Sequence, residues 1–222
     1  MNQQLTFSDN VTVSGAGEVI KTGAGKLKIK ADGDQFSSDK FTVSTGDLDF
    51  KGQYNGDLIV KTGATLSPGN SVGDLTVYGD VTIDAGATGL FEFSAYNEDP
   101  ALQSYDRLII GSDGSFVIDE NSIIKLYFEN GDADLWAAEG EEYKLVSDEG
   151  FADGNYSALL EDQYRSLFEL QGKYGNGLYL IGLGAVPIPP GPEPGSGVPE
   201  PSTWALLALG VIVLYFRRRV RS

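Results

Sequence analysis

Short runs of alternating apolar and polar residues, broken by glycine, fill the first half of the chain. Val11-Thr12-Val13, Lys26-Leu27-Lys28-Ile29-Lys30 and Phe41-Thr42-Val43 alternate in this way. So do Leu48-Asp49-Phe50, Leu58-Ile59-Val60, Leu75-Thr76-Val77 and Val81-Thr82-Ile83. A period of two puts the apolar side chains of each run on one face of a strand. Gly15-Ala16-Gly17, Gly23-Ala24-Gly25, Asp32-Gly33, Asn55-Gly56, Pro68-Gly69-Asn70 and Gly79-Asp80 lie between the runs and read as turns. No helical period of useful length accompanies them. Further along, longer strands are predicted over 89–93, 107–110, 115–118, 123–128, 143–146, 166–170 and 177–183, with one or two short helical turns over 157–164.

The runs are also loosely self-similar. Ile20-Lys21-Thr22-Gly23-Ala24-Gly25-Lys26-Leu27 resembles Val60-Lys61-Thr62-Gly63-Ala64-Thr65-Leu66. Repeats of about 20 residues, each holding a few small strands, predict an all-β solenoid in which stacked coils bury one continuous apolar face and small residues make the corners. The aromatics Phe116, Tyr127, Phe128, Trp136, Tyr143, Phe151, Phe168, Tyr174 and Tyr179 are expected to fill a wider core that caps its end. A β-sandwich is the competing fold, and fewer, longer strands would mark it.

The pattern changes twice near the C-terminus. Residues 184–197, GAVPIPPGPEPGSG, are rich in Pro and Gly, and seven of the nine prolines lie between 187 and 201. This stretch reads as a stiff polyproline-type spacer. Then Pro199-Glu200-Pro201 precedes an uncharged apolar run over 204–216, carried by Trp204, Leu206, Leu207, Leu209, Val211, Ile212, Val213, Leu214 and Phe216. Arg217, Arg218, Arg219 and Arg221 follow. As a helix the run is roughly 20 Å long, short of the roughly 30 Å hydrocarbon core, and the flanking arginines and Trp204 make up the difference at the interfaces. The arginines hold their end in the cytoplasm and place everything before the helix outside. The domains are therefore 1–183, an extracellular β-domain; 184–197, a linker; and 198–222, a tail with one short transmembrane helix.

Composition narrows the function. The net charge is −16, and residues 1–199 hold 31 acids against 12 bases. So acidic a body argues against nucleic acid as a partner. With no Cys and no His, the chain has no Cys nucleophile, no Ser-His-Asp triad and no Cys/His zinc or haem site. No cofactor or metal is expected. Paired acids are the remaining catalytic candidates: Asp32 with Asp34, Asp132 with Asp134, Glu139 with Glu141 and Glu142, and Asp148 with Glu149. They suit general acid–base work on a glycosidic bond, or Ca²⁺, but read first as solvated turn residues. Thr12, Thr42, Thr62, Thr65, Thr76 and Thr82 would read sugar or ice only if they formed ranks on a flat face, and otherwise are ordinary exposed strand residues.

Two resemblances add to this. The order Pro-Glu-Pro, apolar helix, arginine cluster resembles the PEP-CTERM sorting signal of exported bacterial proteins. It implies transient tethering in the inner membrane, processing near the motif by an exosortase (a membrane cysteine protease), and a final place on the cell surface or in the extracellular matrix. An anchor that is never cut is the alternative. The start MNQQLTFSDNVTV has neither a basic nor an apolar signal region. With an export tail, the expectation is a fragment or a start placed too far downstream, with the signal peptide missing from this chain.

The second resemblance lies in the body. Residues 63–77, GATLSPGNSVGDLTV, resemble the late coils of autotransporter passenger domains. Ser104-Tyr105-Asp106-Arg107-Leu108-Ile109-Ile110 resembles the strand that follows there, and residues 21–29 resemble autotransporter-associated repeats. This implies a right-handed parallel β-helix, although no outer-membrane barrel follows. The expected function is a non-enzymatic structural or adhesive protein working with exopolysaccharide in a biofilm matrix. A carbohydrate-active β-helix enzyme and a sugar- or ice-binding solenoid are the alternatives.

Overall fold

The computed structural model describes residues 4–7, 12–31, 36–96, 104–131 and 133–184. They are mostly strand. The first nine strands are β1 (Gln4–Phe7), β2 (Glu18–Lys21), β3 (Lys26–Ala31), β4 (Ser37–Val43), β5 (Gly46–Val60), β6 (Ala64–Pro68), β7 (Asp74–Tyr78), β8 (Val81–Ile83) and β9 (Thr88–Ala95). Eight more follow: β10 (Ser104–Tyr105), β11 (Arg107–Ile110), β12 (Phe116–Ile118), β13 (Ile123–Phe128), β14 (Glu142–Ser147), β15 (Gly154–Asn155), β16 (Phe168–Lys173) and β17 (Gly177–Gly182). All 17 belong to one open hydrogen-bonded network. One turn of helix, α1 (Ala133–Trp136), joins β13 to β14. Two short 3-10 turns, Ser157–Leu159 and Asp162–Tyr164, fall where helical turns were expected.

From β1 to β13 every pairing is parallel except that of β10 on β9. The pairs form three ladders. In the first, Leu5 pairs with Leu27, Leu27 with Leu48, Leu48 with Leu66, Leu66 with Gly89, and Gly89 with Ile124. In the second, the order is Val19, Phe41, Leu58, Val81, Phe116. In the third, Tyr54 pairs with Val77 and Val77 with Ile110. Equivalent residues stack, so alternation within each strand becomes a column of apolar side chains across strands. Leu48, Leu66, Phe41, Leu58, Val81, Tyr54 and Val77 are all buried. Each such side chain stabilises the fold by about 1.5–3 kcal/mol. This is not the antiparallel pairing of a β-sandwich.

β5 corrects one expectation. Leu48-Asp49-Phe50 and Leu58-Ile59-Val60 are not two strands parted by an Asn55-Gly56 turn. They are one 15-residue strand that serves all three ladders in succession. It bends at Gly52 and Gly56, with φ of 113° and 137°. A Cβ there would lie 1.6 Å from the Ala31 carbonyl oxygen and 1.8 Å from that of Ser38. Only glycine allows the neighbouring rung so close, so the chain turns without losing its ladder. The Pro68-Gly69-Asn70 turn does end a strand, β6.

The C-terminal strands pair differently. β14 with β17, β16 with β17 and β15 with β16 are all antiparallel. They pack on an aromatic cluster in which Phe93 lies 4.8 Å from Phe128 and 5.0 Å from Trp136, and Phe128 lies 5.6 Å from Phe168. Of the nine aromatics expected there, Phe116, Phe128, Trp136, Tyr143, Phe151 and Phe168 are buried. Tyr127 and Tyr174 face solvent, and Tyr179 lies under the ammonium groups of Lys144 and Lys173.

The chain divides into Met1–Ala185 and Val186–Ser222. No described helix is long and apolar enough to cross a membrane. The apolar run over 204–216 lies outside the described residues, as does the linker after Gly184.

Candidate functional site

β6 stops at Pro68, between a β5 and a β9 that both run on. The chain leaves the ladder there, with Asn70 and Ser71 at φ of 123° and 72°. Asp106 holds this loop. Its Oδ1 accepts the Gly73 N–H at 2.9 Å and its Oδ2 accepts the Glu92 N–H at 3.0 Å. Its own N–H donates to the Glu92 carbonyl at 2.9 Å. Thus the Ser67–Gly73 stretch and the Tyr105-Asp106 pair, 33 residues apart by the Gly73 bond, meet in one clip. Asp106 is fully buried. Burial pushes its carboxyl up to about 9, against the pull of the two N–H donors. Both oxygens already have a backbone donor, so Asp106 fastens the fold and has nothing to offer a ligand.

Beside the loop opens a hollow of about 270 Å³, with Ser71 and Val72 on its wall. Lys26 and Lys28 come from β3, Asp49 from β5, Glu92 from β9, and Tyr127 and Glu129 from β13 and just after it. Alternation explains why each is outward on its strand: Leu48, Phe50, Phe91, Phe93, Leu126 and Phe128 take the inward positions.

Asp49 is outward yet only 3% exposed. Its Oδ2 accepts a hydrogen bond from Lys26 Nζ at 3.0 Å and lies 3.6 Å from Lys28 Nζ. Its Oδ1 is covered and has no donor among the described residues. Glu92 is held above the usual carboxylate range, first by burial and then by the charge of Asp49, while Lys26 and Lys28 pull it back. The hollow therefore mixes ammonium donors, carboxylate acceptors and one exposed ring, Tyr127, which is 53% exposed. Among the described residues, no group of three or more His, Cys, Asp or Glu side chains is placed to hold a metal ion.

None of the described acids singled out from the sequence lines this hollow. Asp32, Asp34 and Asp132 lie outside the described residues. Asp134 is in α1, and Glu142 pairs with Lys173. Asp148 is buried and accepts the Phe116 and Gly150 N–H groups at 2.8 and 2.7 Å, a second backbone clip. Arg107 is taken up by Asp74, and Arg165 by the carbonyls of Leu160 and Ala158. The threonines do not form ranks. Thr42 and Thr82 are separated by Ile59 on their ladder, and Thr76 stacks between Gln53 and Ile109. Lys26, Lys28, Asp49, Glu92 and Glu129 were not singled out from the sequence. Their outward alternation was visible in Lys26-Leu27-Lys28 and Leu48-Asp49-Phe50, but their convergence depends on the register between strands.

Pro199, Glu200 and Pro201, the apolar residues from Trp204 to Phe216 and the four terminal arginines lie outside the described residues. They are reached by comparison instead. No curated protein matches the chain. Residues 197–219 match the PEP-CTERM protein-sorting motif. The motif covers the Pro-Glu-Pro triplet, the apolar run and three of the arginines, so the chain carries the C-terminal sorting signal of an exported protein, one that goes with membrane association and processing by an exosortase.

Proposed function

We propose that this is a structural or adhesive protein of the bacterial surface or extracellular matrix, without enzymatic activity, delivered there by its C-terminal signal. Pro199, Glu200 and Pro201 are the recognition motif, the apolar run over 204–216 is the transient membrane stop, and Arg217, Arg218, Arg219 and Arg221 fix its orientation. The observation that carries the reading is the sorting-motif match at residues 197–219. The body is a right-handed parallel β-helix in this reading. Its support is the stacking of equivalent residues every 20 or so positions, with β5 bending through three ladders at two glycines. Matrix exopolysaccharide is the partner of this body in the same reading.

The test is the intact mass and C-terminal peptide of the mature protein from its native cells. Loss of roughly the last 20 residues is expected. A retained tail with all four arginines would make the protein a plain membrane-anchored one.

A carbohydrate-active enzyme is the second reading, and one observation favours it: Asp49 and Glu92 share a hollow with two lysines. Release of reducing ends from matrix polysaccharide, abolished by Glu92→Gln, would establish it.

A further inference from the structure

The hollow beside the Gly69–Gly73 loop brings together ammonium donors, carboxylate acceptors and one exposed ring. Asp49 is buried, and one of its two oxygens lacks a donor. An acceptor taken out of water and left unmade is costly, so such atoms call for an explanation. Around it the wall offers donors and acceptors at once. Lys26 and Lys28 are cationic donors whose side chains are 32% and 26% exposed, and each ammonium group has donors left beyond its contact with Asp49. Glu92 and Glu129 accept, and Ser71 and Ser94 do both. The ring of Tyr127 stands exposed at the edge.

The mixture selects its ligand by exclusion. A divalent cation would meet two ammonium groups, and no metal cluster forms among the described residues. A phosphate or sulfate would meet three carboxylates. An apolar molecule would strip water from every charge on the wall. A sugar satisfies all of it: each hydroxyl both donates and accepts, and the ring's C–H face lies against an aromatic. At about 270 Å³ the space falls just under the roughly 300–1,000 Å³ of ordinary ligand sites, which suits one sugar unit and not a buried chain.

We propose that this hollow is a subsite for one unit of a neutral saccharide, with Asp49 and Glu92 accepting from its hydroxyls, Lys26 and Lys28 donating, and Tyr127 stacking on its face. The β3 and β5 strands that carry these groups pair directly, as do β9 and β13, and the short β6 between β5 and β9 ends at Pro68, which leaves the hollow beside the loop. The inference gives the matrix reading above its partner class, and rests on that reading only for where the saccharide comes from.

The experiment is a glycan array probed with the full chain, carrying neutral, amino and uronic-acid oligosaccharides. Titration calorimetry with the best neutral tetrasaccharide follows. Neutral ligands are expected to bind. Tyr127→Ala, at an exposed position, should weaken them about tenfold or more with an unchanged melting midpoint. Glu92→Gln should weaken them as well, and provides a second variant of nearly unchanged shape. No binding to any neutral glycan would overturn the proposal. So would binding to uronic acids alone, or neutral binding untouched by both substitutions. Failure here is distinct from failure of the sorting reading. A mature protein trimmed at its tail can lack the subsite, and a protein with its tail retained can still bind sugar.

Discussion

Asp106 and Asp49 are both buried carboxylates in the same strand network, flanking one loop, and they do opposite things. Asp106 has a backbone N–H on each oxygen and a raised pKa, and it does not line the hollow. Asp49 has two lysines on one oxygen, no donor among the described residues on the other, and lines the hollow. Burial alone does not mark a functional acid. What distinguishes the two is whether the chain itself has used up the acceptors. A carboxylate satisfied by backbone donors is a fastener, as Asp148 also is between β12 and the Gly150 turn. One left half-satisfied beside lysine donors has binding capacity to spare.

The sharpest way to break this contrast is to remove each acid. Asp106→Ala orphans the Gly73 and Glu92 N–H groups in a buried place, at about 1–3 kcal/mol for each. Denaturant unfolding of the full chain should show a loss of about 3 kcal/mol, the largest effect expected here. A loss under about 1 kcal/mol would mean that the loop is held by something else.

The pH dependence comes next. Asp106 titrates near 9 when folded and near the ordinary 3.8 when unfolded. Folding then takes up a proton anywhere between those values, so the stability that Asp106 contributes is greatest below about 4 and falls as pH rises toward about 9. The slope is at most about 1.4 kcal/mol per pH unit. Melting midpoints from pH 4 to 9 should fall in the native chain and flatten in Asp106→Asn. A parallel pair of curves would move the pH dependence to other groups.

These two acids also show where sequence reading succeeds. Arg107–Ile110 and Ile123–Phe128 were placed to the residue, because a short run rich in β-branched and apolar residues with polar flanks is a local property. The link between Ser67–Gly73 and Asp106 was half legible: both stretches stood out by resemblance, but nothing local said that they touch. β5 was misread because Asn-Gly is a turn signal by itself. It becomes a mere bend only when rungs stack closely on either side of Gly52 and Gly56. The hollow was not legible at all. Asp49 reads as an exposed residue of a short strand, and the groups that share the hollow with it come from β3 and from Glu92 on β9. The expected aromatic core failed at Tyr127 for a related reason: it sits at an odd position of β13, where alternation turns it to solvent.

The smallest stability effect is expected at Asp49, and it is the most telling. Asp49→Asn keeps the shape, removes a buried charge and supplies an amide that can point its oxygen at Lys26. The lysines it releases are a quarter to a third exposed and can turn to water, so no cation is stranded. The pairs are exposed only on the lysine side, so the unfolding midpoint should move less than in Asp106→Ala. Saccharide binding should nevertheless weaken, because an amide has one acceptor where the carboxylate had two. A stability loss as large as that of Asp106→Ala would instead make Asp49 another fastener, and the two halves of the contrast would collapse into one.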